Sequence, residues 1–239
     1  MLSSSQDQGV TTLTLGRPQR GNALGADLVE ALLDAVHAAC ADRATHTLVL
    51  RGEGRHFCTG LDLSDLDDSR DGDLLQRLVR IETLLATLWH APLRTVAVAQ
   101  GRTWGAGADL FSACEVRLAL ADATFRFPGA QFGIVLGTRR LAERVGADAA
   151  RAITVGGGQW DAAAAQAAGL AQQIVADEDR AAQALVDLAP PKTDPDTAAA
   201  LRAASRPDHR DADLAALVRS AAVPGLVQRI KAYRARLKG

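Results

Sequence analysis

The chain has 239 residues, of which 48% are hydrophobic and 23% are charged, the composition of an ordinary globular protein with one large core. Its 27 Lys and Arg residues nearly balance its 28 Asp and Glu residues, so a general affinity for nucleic acid is not expected. No segment approaches the ~20 apolar residues of a membrane span, the N terminus lacks a signal-peptide pattern, and three widely spaced cysteines predict reduced thiols in a cytoplasmic protein without a metal site.

The first half of the chain alternates strand-like and helix-like segments. Strands are predicted at 10–18, 45–52 and 94–101, and helices at 26–42, 74–91 and 109–114. Two further short strands are predicted within 115–127, with a turn at Ala121 and Asp122. Strands and helices that alternate in this way predict parallel strands joined by helical crossovers. The fold class is therefore α/β.

The second half of the chain is alanine-rich and mostly helical. Helices are predicted at 139–156 and 161–169, followed by a strand-like segment at 170–176 and by helices to the end. The segment PPKTDPDT, which begins at Pro190, is typical of a linker. We therefore predict a core at 1–190 and a C-terminal helical region at 191–239.

Two of the predicted turns are built from small residues. One follows the strand at 45–52 and contains Thr59 and Gly60, and the other is GRTWGAGADL at 101–110. Small residues let a ligand approach the main chain, and N–H groups at the start of a helix have no partner within that helix. The two turns together predict the two backbone donors of an oxyanion hole.

Four phrases of the sequence occur in the order and spacing of a known family. They are RPQRGNAL at 17–24, FCTGLDL at 57–63, GRTWGAGADL at 101–110 and FRFPGAQFG at 125–133. Together they resemble the signature of the crotonase superfamily, also called the enoyl-CoA hydratase/isomerase family. The resemblance covers roughly the first two-thirds of the chain.

The resemblance implies a fold, a ligand and an assembly. The fold is a crotonase-like spiral of ββα units with a C-terminal helical region that packs on a neighbouring subunit. The assembly is a homotrimer or a homohexamer, for which the short apolar C-terminal segment is also an argument because it is small for covering its own apolar face. The ligand is an acyl-CoA thioester, with coenzyme A as part of the substrate and no other cofactor.

The resemblance also implies which residues bind this ligand. The amides of Thr59 and Ala106 would hold the thioester oxygen. Arg17 and Arg20 are each either a ligand of the CoA phosphates or a surface charge, and Arg20 is assigned to CoA binding. The remaining residues assigned to CoA and acyl-group binding are Ala23, Leu24, Phe57, Cys58, Gly60, Leu61, Asp62, Leu63, Trp104, Gly105, Pro128 and Gly129.

The two catalytic carboxylates that the resemblance implies are both altered. Family hydratases use two glutamates, one as a base and one as an acid, to add water across a double bond. Asp109 stands in place of the first glutamate and is shorter by one methylene, about 1.5 Å. It is either the remaining catalytic carboxylate or an aspartate favoured by the start of a helix. Gly129 stands where the second glutamate is expected and cannot transfer a proton.

The pair Arg139 and Arg140 lies in a segment that borders the acyl end of the pocket in relatives. Two interpretations are open: solvated surface arginines, which the sequence favours, and a receptor for a polar acyl group.

Two functions follow from this pattern. The first is a lyase or isomerase that stabilises the enolate of an acyl-CoA, with weak or altered hydration and Asp109 as its catalytic residue. The second is a non-catalytic acyl-CoA carrier or sensor. Gly129 favours the second function, and the acid at Asp109 favours the first.

Overall fold

The computed structural model describes residues 1–188 and 190–236. Its strands are β1 Leu2–Asp7, β2 Val10–Leu15, β3 Thr47–Gly52, β4 Arg94–Ala99, β5 Arg102–Trp104, β6 Val116–Leu120, β7 Thr124–Arg126, β8 Trp160–Asp161 and β9 Gln173–Val175. Its helices are α1 Ala26–Ala41, α2 Asp71–Trp89, α3 Ala106–Ala113, α4 Thr138–Val145, α5 Ala147–Gly156, α6 Ala162–Ala167, α7 Glu178–Val186, α8 Pro195–Ala204, α9 Arg210–Ala221 and α10 Leu226–Arg236.

The larger sheet has six strands in the order β1-β2-β3-β4-β6-β9. The strands from β2 to β9 in this order are parallel, with Leu13 opposite Leu50 and Leu50 opposite Ala97. Their side chains form a buried apolar layer under α1 and α2. The prediction of an α/β fold with parallel strands is therefore confirmed.

The edge strand β1 was not predicted from the sequence. It pairs antiparallel with β2 through a tight turn at Gln8 and Gly9, whose φ angles are 45° and 79°. Two positive φ angles are typical of the hairpin turn that matches the twist of a sheet. Five of the six residues of β1 are exposed, so the segment carries no apolar alternation that would reveal a strand.

The two short strands predicted within 115–127 exist but belong to different sheets. β6 joins the large sheet, whereas β7 pairs with β5 and β8 in a second sheet of three strands. The pairing of β5 with β7 sets Trp104 opposite Arg126, and the amide of Gly105 donates to the Arg126 carbonyl at 2.8 Å. The start of α3 therefore lies beside the 3₁₀ turn Pro128–Phe132.

Several predicted elements differ in length from the observed ones. α3 begins at Ala106 instead of 109, and the helix predicted at 139–156 is two helices separated at Gly146, whose φ is 81°. An L side chain rarely adopts this backbone angle, so the glycine marks the break. Within the described residues, no helix combines the length and the apolar character needed to cross a membrane.

The C-terminal helices α9 and α10 pack on α2 of the same chain. Leu217, Leu226 and Ile230 join Leu74 and Leu78 in one buried apolar cluster. These helices therefore cover their own apolar face, and the expectation that they are too small to do so is wrong. The boundary between 190 and 191 and the role of the C-terminal region in a trimer stay predictions.

Candidate active site

A cavity of about 530 Å³ lies where α3, α5, α10 and the 3₁₀ turn Pro128–Phe132 meet. Its volume exceeds that of three other cavities among the described residues, the largest of which measures about 310 Å³, and its wall is mostly apolar. Ten of the residues predicted to form the ligand site line it: Thr59, Gly60, Leu61, Leu63, Trp104, Gly105, Ala106, Asp109, Pro128 and Gly129. The fold thus gathers three of the four sequence phrases around one space.

The two small-residue turns touch each other at this cavity. Gly60 and Gly105 have φ angles of 95° and 53°, which L side chains rarely adopt. A Cβ at Gly60 would stand 2.8 Å from the Trp104 carbonyl oxygen and 3.3 Å from the Ala106 nitrogen. Glycine is needed here for both its backbone angle and the close approach of the start of α3.

Of the two backbone amides predicted to form the oxyanion hole, one already has a hydrogen-bond acceptor in the structure. The amide of Thr59 donates to the Gly21 carbonyl at 3.0 Å, so it is not available to a ligand. The assignment of Thr59 as an oxyanion donor is therefore wrong, because a segment distant in sequence uses its hydrogen. In contrast, the amides of Leu61 and Ala106 have no hydrogen-bond acceptor among the described residues. Both residues line the cavity.

The chain on either side of Leu61 is fixed by two backbone hydrogen bonds. The Leu24 amide donates to the Gly60 carbonyl at 2.8 Å, and the Asp62 amide donates to the Leu24 carbonyl at 3.0 Å. Leu24 itself is fully buried. The phrase RPQRGNAL thus holds the turn through its main chain.

The other predicted ligand-binding residues do not line the cavity. Ala23, Leu24, Phe57 and Cys58 belong to the buried core, and burial raises the pKa of the Cys58 thiol to about 12. Asp62 is paired with Arg17 at 2.8 Å, so Arg17 has a structural partner. These side chains were assigned to the ligand because they adjoin the turn in sequence, whereas their role in the structure is to support it. Arg20 is exposed and adjoins Gly21.

Asn22 supports the same turn, a role that was not predicted from the sequence. Its side chain is fully buried and accepts from the Arg17 amide at 2.8 Å. It donates to the carbonyls of Glu53 and His56 at 3.0 and 2.7 Å. Its φ of 54° is an angle that asparagine tolerates better than most residues.

Asp109 lies one turn into α3 after Ala106 and is only 5% exposed. Its Oδ1 atom is buried without a hydrogen-bond partner among the described residues. Burial raises the pKa of Asp109 well above its ordinary value, the charge of Glu82 adds to this effect, and Arg140 opposes it. Burial therefore favours the protonated form of this carboxyl group over the ionised form, compared with an exposed aspartate. It is the only carboxylate among the described residues that line the cavity.

Gly129 lies on the cavity wall in the 3₁₀ turn Pro128–Phe132. Its φ is not in the left-handed region, and a Cβ there would be 3.4 Å from the Ile134 carbonyl oxygen, an ordinary contact. Neither the backbone nor the packing therefore requires glycine at this position.

Arg139 and Arg140 are not a solvated pair. Arg140 is 3% exposed and donates to both carboxylate oxygens of Glu82, at 2.6 and 3.1 Å. Arg139 donates to Asp213 at 2.8 Å, and Arg140 is 3.7 Å from the same carboxylate. The two arginines thus connect α4 to α2 and α9. The burial of Arg140 makes the surface interpretation wrong for that residue. Neither arginine is among the residues that line the large cavity, so the interpretation as a receptor for the acyl group gains no support there.

Comparison with known proteins decides the family. The family model described as enoyl-CoA hydratase/isomerase matches residues 5–219. The chain belongs to this family. It is 35% identical over 198 residues to the probable enoyl-CoA hydratase echA6 of Mycobacterium leprae. The aligned region covers 80% of this chain and 78% of the relative.

Solved structures agree with the family. A crystal structure described as that of an enoyl-CoA hydratase/isomerase from Bordetella parapertussis is 45% identical, covers 98% of both chains and superposes with a TM-score of 0.94. The structure of an enoyl-CoA hydratase from Bacillus halodurans has a TM-score of 0.86 at 21% identity, covering 97% of this chain and 99% of that one, and shows the same fold. The predicted crotonase fold is thereby confirmed.

Sequence reasoning missed part of the wall of the large cavity. Arg126, Arg151 and Arg234 bring three positive side chains to it, and Tyr233 stacks on Phe132 with 5.3 Å between ring centres. These residues come from β7, α5 and α10, and no motif joins them. One signal was present for Arg126, which lies within the phrase FRFPGAQFG at 125–133. In the structure its guanidinium group lies 5.1 Å from the centre of the Trp104 ring.

Proposed function

We propose that this protein binds an acyl-CoA thioester in the large cavity, with the thioester oxygen accepting hydrogen bonds from the amides of Leu61 and Ala106. The observation that carries the proposal is that these two amides lack acceptors at the point where the two glycine turns touch. Backbone donors fixed in a water-poor site stabilise the negative charge that develops on a carbonyl oxygen. The positive end of α3 adds to the same effect.

The proposed chemistry is stabilisation of the thioester enolate. The oxyanion hole lowers the energy of the enolate. The ionised Asp109 carboxylate takes the proton from the α-carbon while the electron pair of the C–H bond moves towards the thioester oxygen, and the carboxylic acid so formed returns the proton to the carbon skeleton. Hydration is weak, because the reaction of family hydratases uses two carboxylates and Gly129 supplies none. A missing general base typically lowers a rate by about 10²–10⁴-fold. The only cofactor in this proposal is the coenzyme A of the substrate.

A second candidate function is a carrier or sensor that binds acyl-CoA without turnover. Gly129 favours it, because the position accepts a side chain and yet provides no group for proton transfer. The burial of Asp109 favours it as well, since burial raises the pKa of this carboxyl and disfavours the ionised form that a base requires.

The cations around the cavity provide partners for the phosphates of CoA. Arg20 is exposed beside Gly21, whose carbonyl holds the Thr59 amide, so it stands close to the turn that forms one wall. A guanidinium group suits a phosphate because it donates two parallel hydrogen bonds.

The decisive experiment removes one amide hydrogen. Ala106 is the first residue of α3, a position where proline fits a helix, so Ala106→Pro deletes the donor and keeps the helix. We expect exchange of the α-protons of butyryl-CoA with D₂O to fall by about 10²–10³-fold in this variant. Ala26→Pro at the start of α1 is the matched control and should leave exchange unchanged.

The outcomes separate the two candidates. Exchange by the native protein that is lost in Ala106→Pro supports the enolate mechanism. Tight binding of butyryl-CoA with no exchange above the uncatalysed rate supports the carrier. Absence of binding by calorimetry would refute the acyl-CoA proposal itself.

A further inference from the structure

A second cavity of about 310 Å³ adjoins the first. The two share three lining residues, Val135, Thr138 and Arg151, which form a partition between them. The second cavity lies between α4, α5 and α9. Nothing in the proposed chemistry uses it.

Half of the ten residues that line the second cavity are glycine or alanine. Gly137, Ala142, Ala150 and Ala216 leave the space between the helices unfilled. The ion pair between Arg139 and Asp213 lies on the same wall, so the charges there neutralise each other. An apolar space of this shape suits a hydrocarbon chain better than a charged group.

The position of Asp109 relates this space to the thioester. Asp109 follows Ala106 by one helical turn, and a Cβ at Gly137 would overlap its Oδ1 atom. Gly137 in turn lines the second cavity. An acyl chain that starts at the Ala106 amide and passes Asp109 therefore arrives at the partition.

Two of the three side chains that form the partition, those of Val135 and Arg151, are exposed. The Val135 amide donates to Ser220 Oγ of α9 at 3.0 Å, while the Val135 side chain is 46% exposed. The Arg151 side chain points to solvent, where it pairs with Asp148. We expect rotation of these two side chains to join the cavities, since exposed side chains change rotamer within nanoseconds.

We propose that the second cavity receives the distal part of an unbranched acyl chain, so that the protein prefers long-chain to short-chain acyl-CoA. This inference rests on the proposed function, because the thioester fixes where the chain begins. Each methylene that leaves water strengthens binding by about fourfold in Kd. The preference is therefore a property of α4 and α9, which lie outside the four sequence phrases.

The test compares butyryl-, octanoyl- and dodecanoyl-CoA by calorimetry on the full-length protein. Ala216→Leu and Ala142→Leu fill the second cavity, whereas Ala212→Leu adds the same side chain to an exposed position of α9 one turn away. We expect Kd to tighten with chain length in the native protein and in Ala212→Leu. In the two filled variants we expect dodecanoyl-CoA to bind at least tenfold more weakly and butyryl-CoA to bind unchanged.

Two results would overturn the inference: a dodecanoyl-CoA affinity that the filled variants leave unchanged, and an affinity that does not increase beyond butyryl-CoA in the native protein. Failure of butyryl-CoA to bind the native protein would instead count against the proposed function. The inference about chain length is also contradicted if Ala212→Leu loses as much dodecanoyl-CoA binding as Ala216→Leu, since only Ala216 borders the second cavity.

Discussion

Asp109 is a buried acid whose neighbours do not compensate its charge. Its Oδ1 has no partner, and burial together with Glu82 raises its pKa well above the ordinary value of 3.8. A group with a raised pKa binds its proton more tightly in the folded state than in the unfolded state. Folding stability is therefore highest below the unfolded pKa, and it decreases as pH rises towards the folded pKa.

Asp109→Asn removes this dependence, because the amide cannot ionise. We expect the variant to exceed the native protein in melting temperature at pH 8, with a difference that shrinks towards pH 4.5. Thermal unfolding across this range measures it, with Asp68→Asn at an exposed position as control. A difference that is constant with pH would show that Asp109 does not titrate as its burial requires.

Position 129 decides whether hydration can be restored. A side chain there meets only ordinary contacts, so Gly129→Glu should fold. We expect Gly129→Glu combined with Asp109→Glu to raise hydration of crotonyl-CoA by about 10²–10⁴-fold over a weak native rate. Gly129→Gln with Asp109→Glu adds the same bulk without the acid and should gain nothing.

The hydration assay also has outcomes that contradict this interpretation. A folded, ligand-binding double variant without increased hydration would show that more of the cavity than its carboxylates has changed. Substantial hydration by the native protein would mean that another residue serves as the base.

At the scale of elements, one buried ion pair connects α2 to α4 directly behind the cavity. Glu82 and Arg140 are each almost fully buried, and burial raises the pKa of Glu82 against the opposing effect of Arg140. A buried pair of this kind adds little net stability, yet loss of one partner leaves an uncompensated charge. Its effect is to fix α4, which carries Thr138 into the partition.

Glu82→Leu should therefore lower the free energy of unfolding by about 3–5 kcal/mol, as measured by urea denaturation. The double variant Glu82→Leu, Arg140→Met removes both charges and should recover most of the loss. The control variant is Glu30→Leu, which breaks the exposed ion pair between Glu30 of α1 and Arg80 of α2. It should lower the free energy of unfolding by less than about 1 kcal/mol. A double variant no more stable than Glu82→Leu would contradict this account.

At the scale of the whole molecule, the parallel sheet brings distant turns to one edge, and the C-terminal helices close the cavity from the far end. Tyr233 and Arg234 of α10 line the wall, and Arg229 donates to the carbonyls of Phe132 and Gly133. α10 thus forms part of the cavity wall of its own chain. Its removal would open the cavity as well as expose Leu226 and Ile230.

The assembly stays a prediction. We expect light scattering to give three or six times the chain mass of 25.1 kDa, as the family resemblance implies. The exposed side chains of Val155, Leu201 and Val223 are apolar surface that an assembly would cover. A stable monomer at micromolar concentration would contradict the expectation.

The sequence by itself determined the family and the parallel arrangement of the strands, and it shows at position 129 a glycine, which has no proton-transfer group. These features reside in local patterns: apolar periodicity, glycines at forced backbone angles, and phrases whose residues are neighbours along the chain. The glycine turns at Gly60 and Gly105 were predictable for this reason.

Only the tertiary structure decided which amides are free, where Arg140 lies and how large the cavity is. The Thr59 amide donates to the Gly21 carbonyl, and Arg140 donates to the buried carboxylate of Glu82. Both hydrogen bonds join segments that are distant in the sequence. The polar edge strand β1 likewise depends on its partner β2. Hydrogen bonds and burial depend on what the fold brings near, and a local pattern does not contain that information.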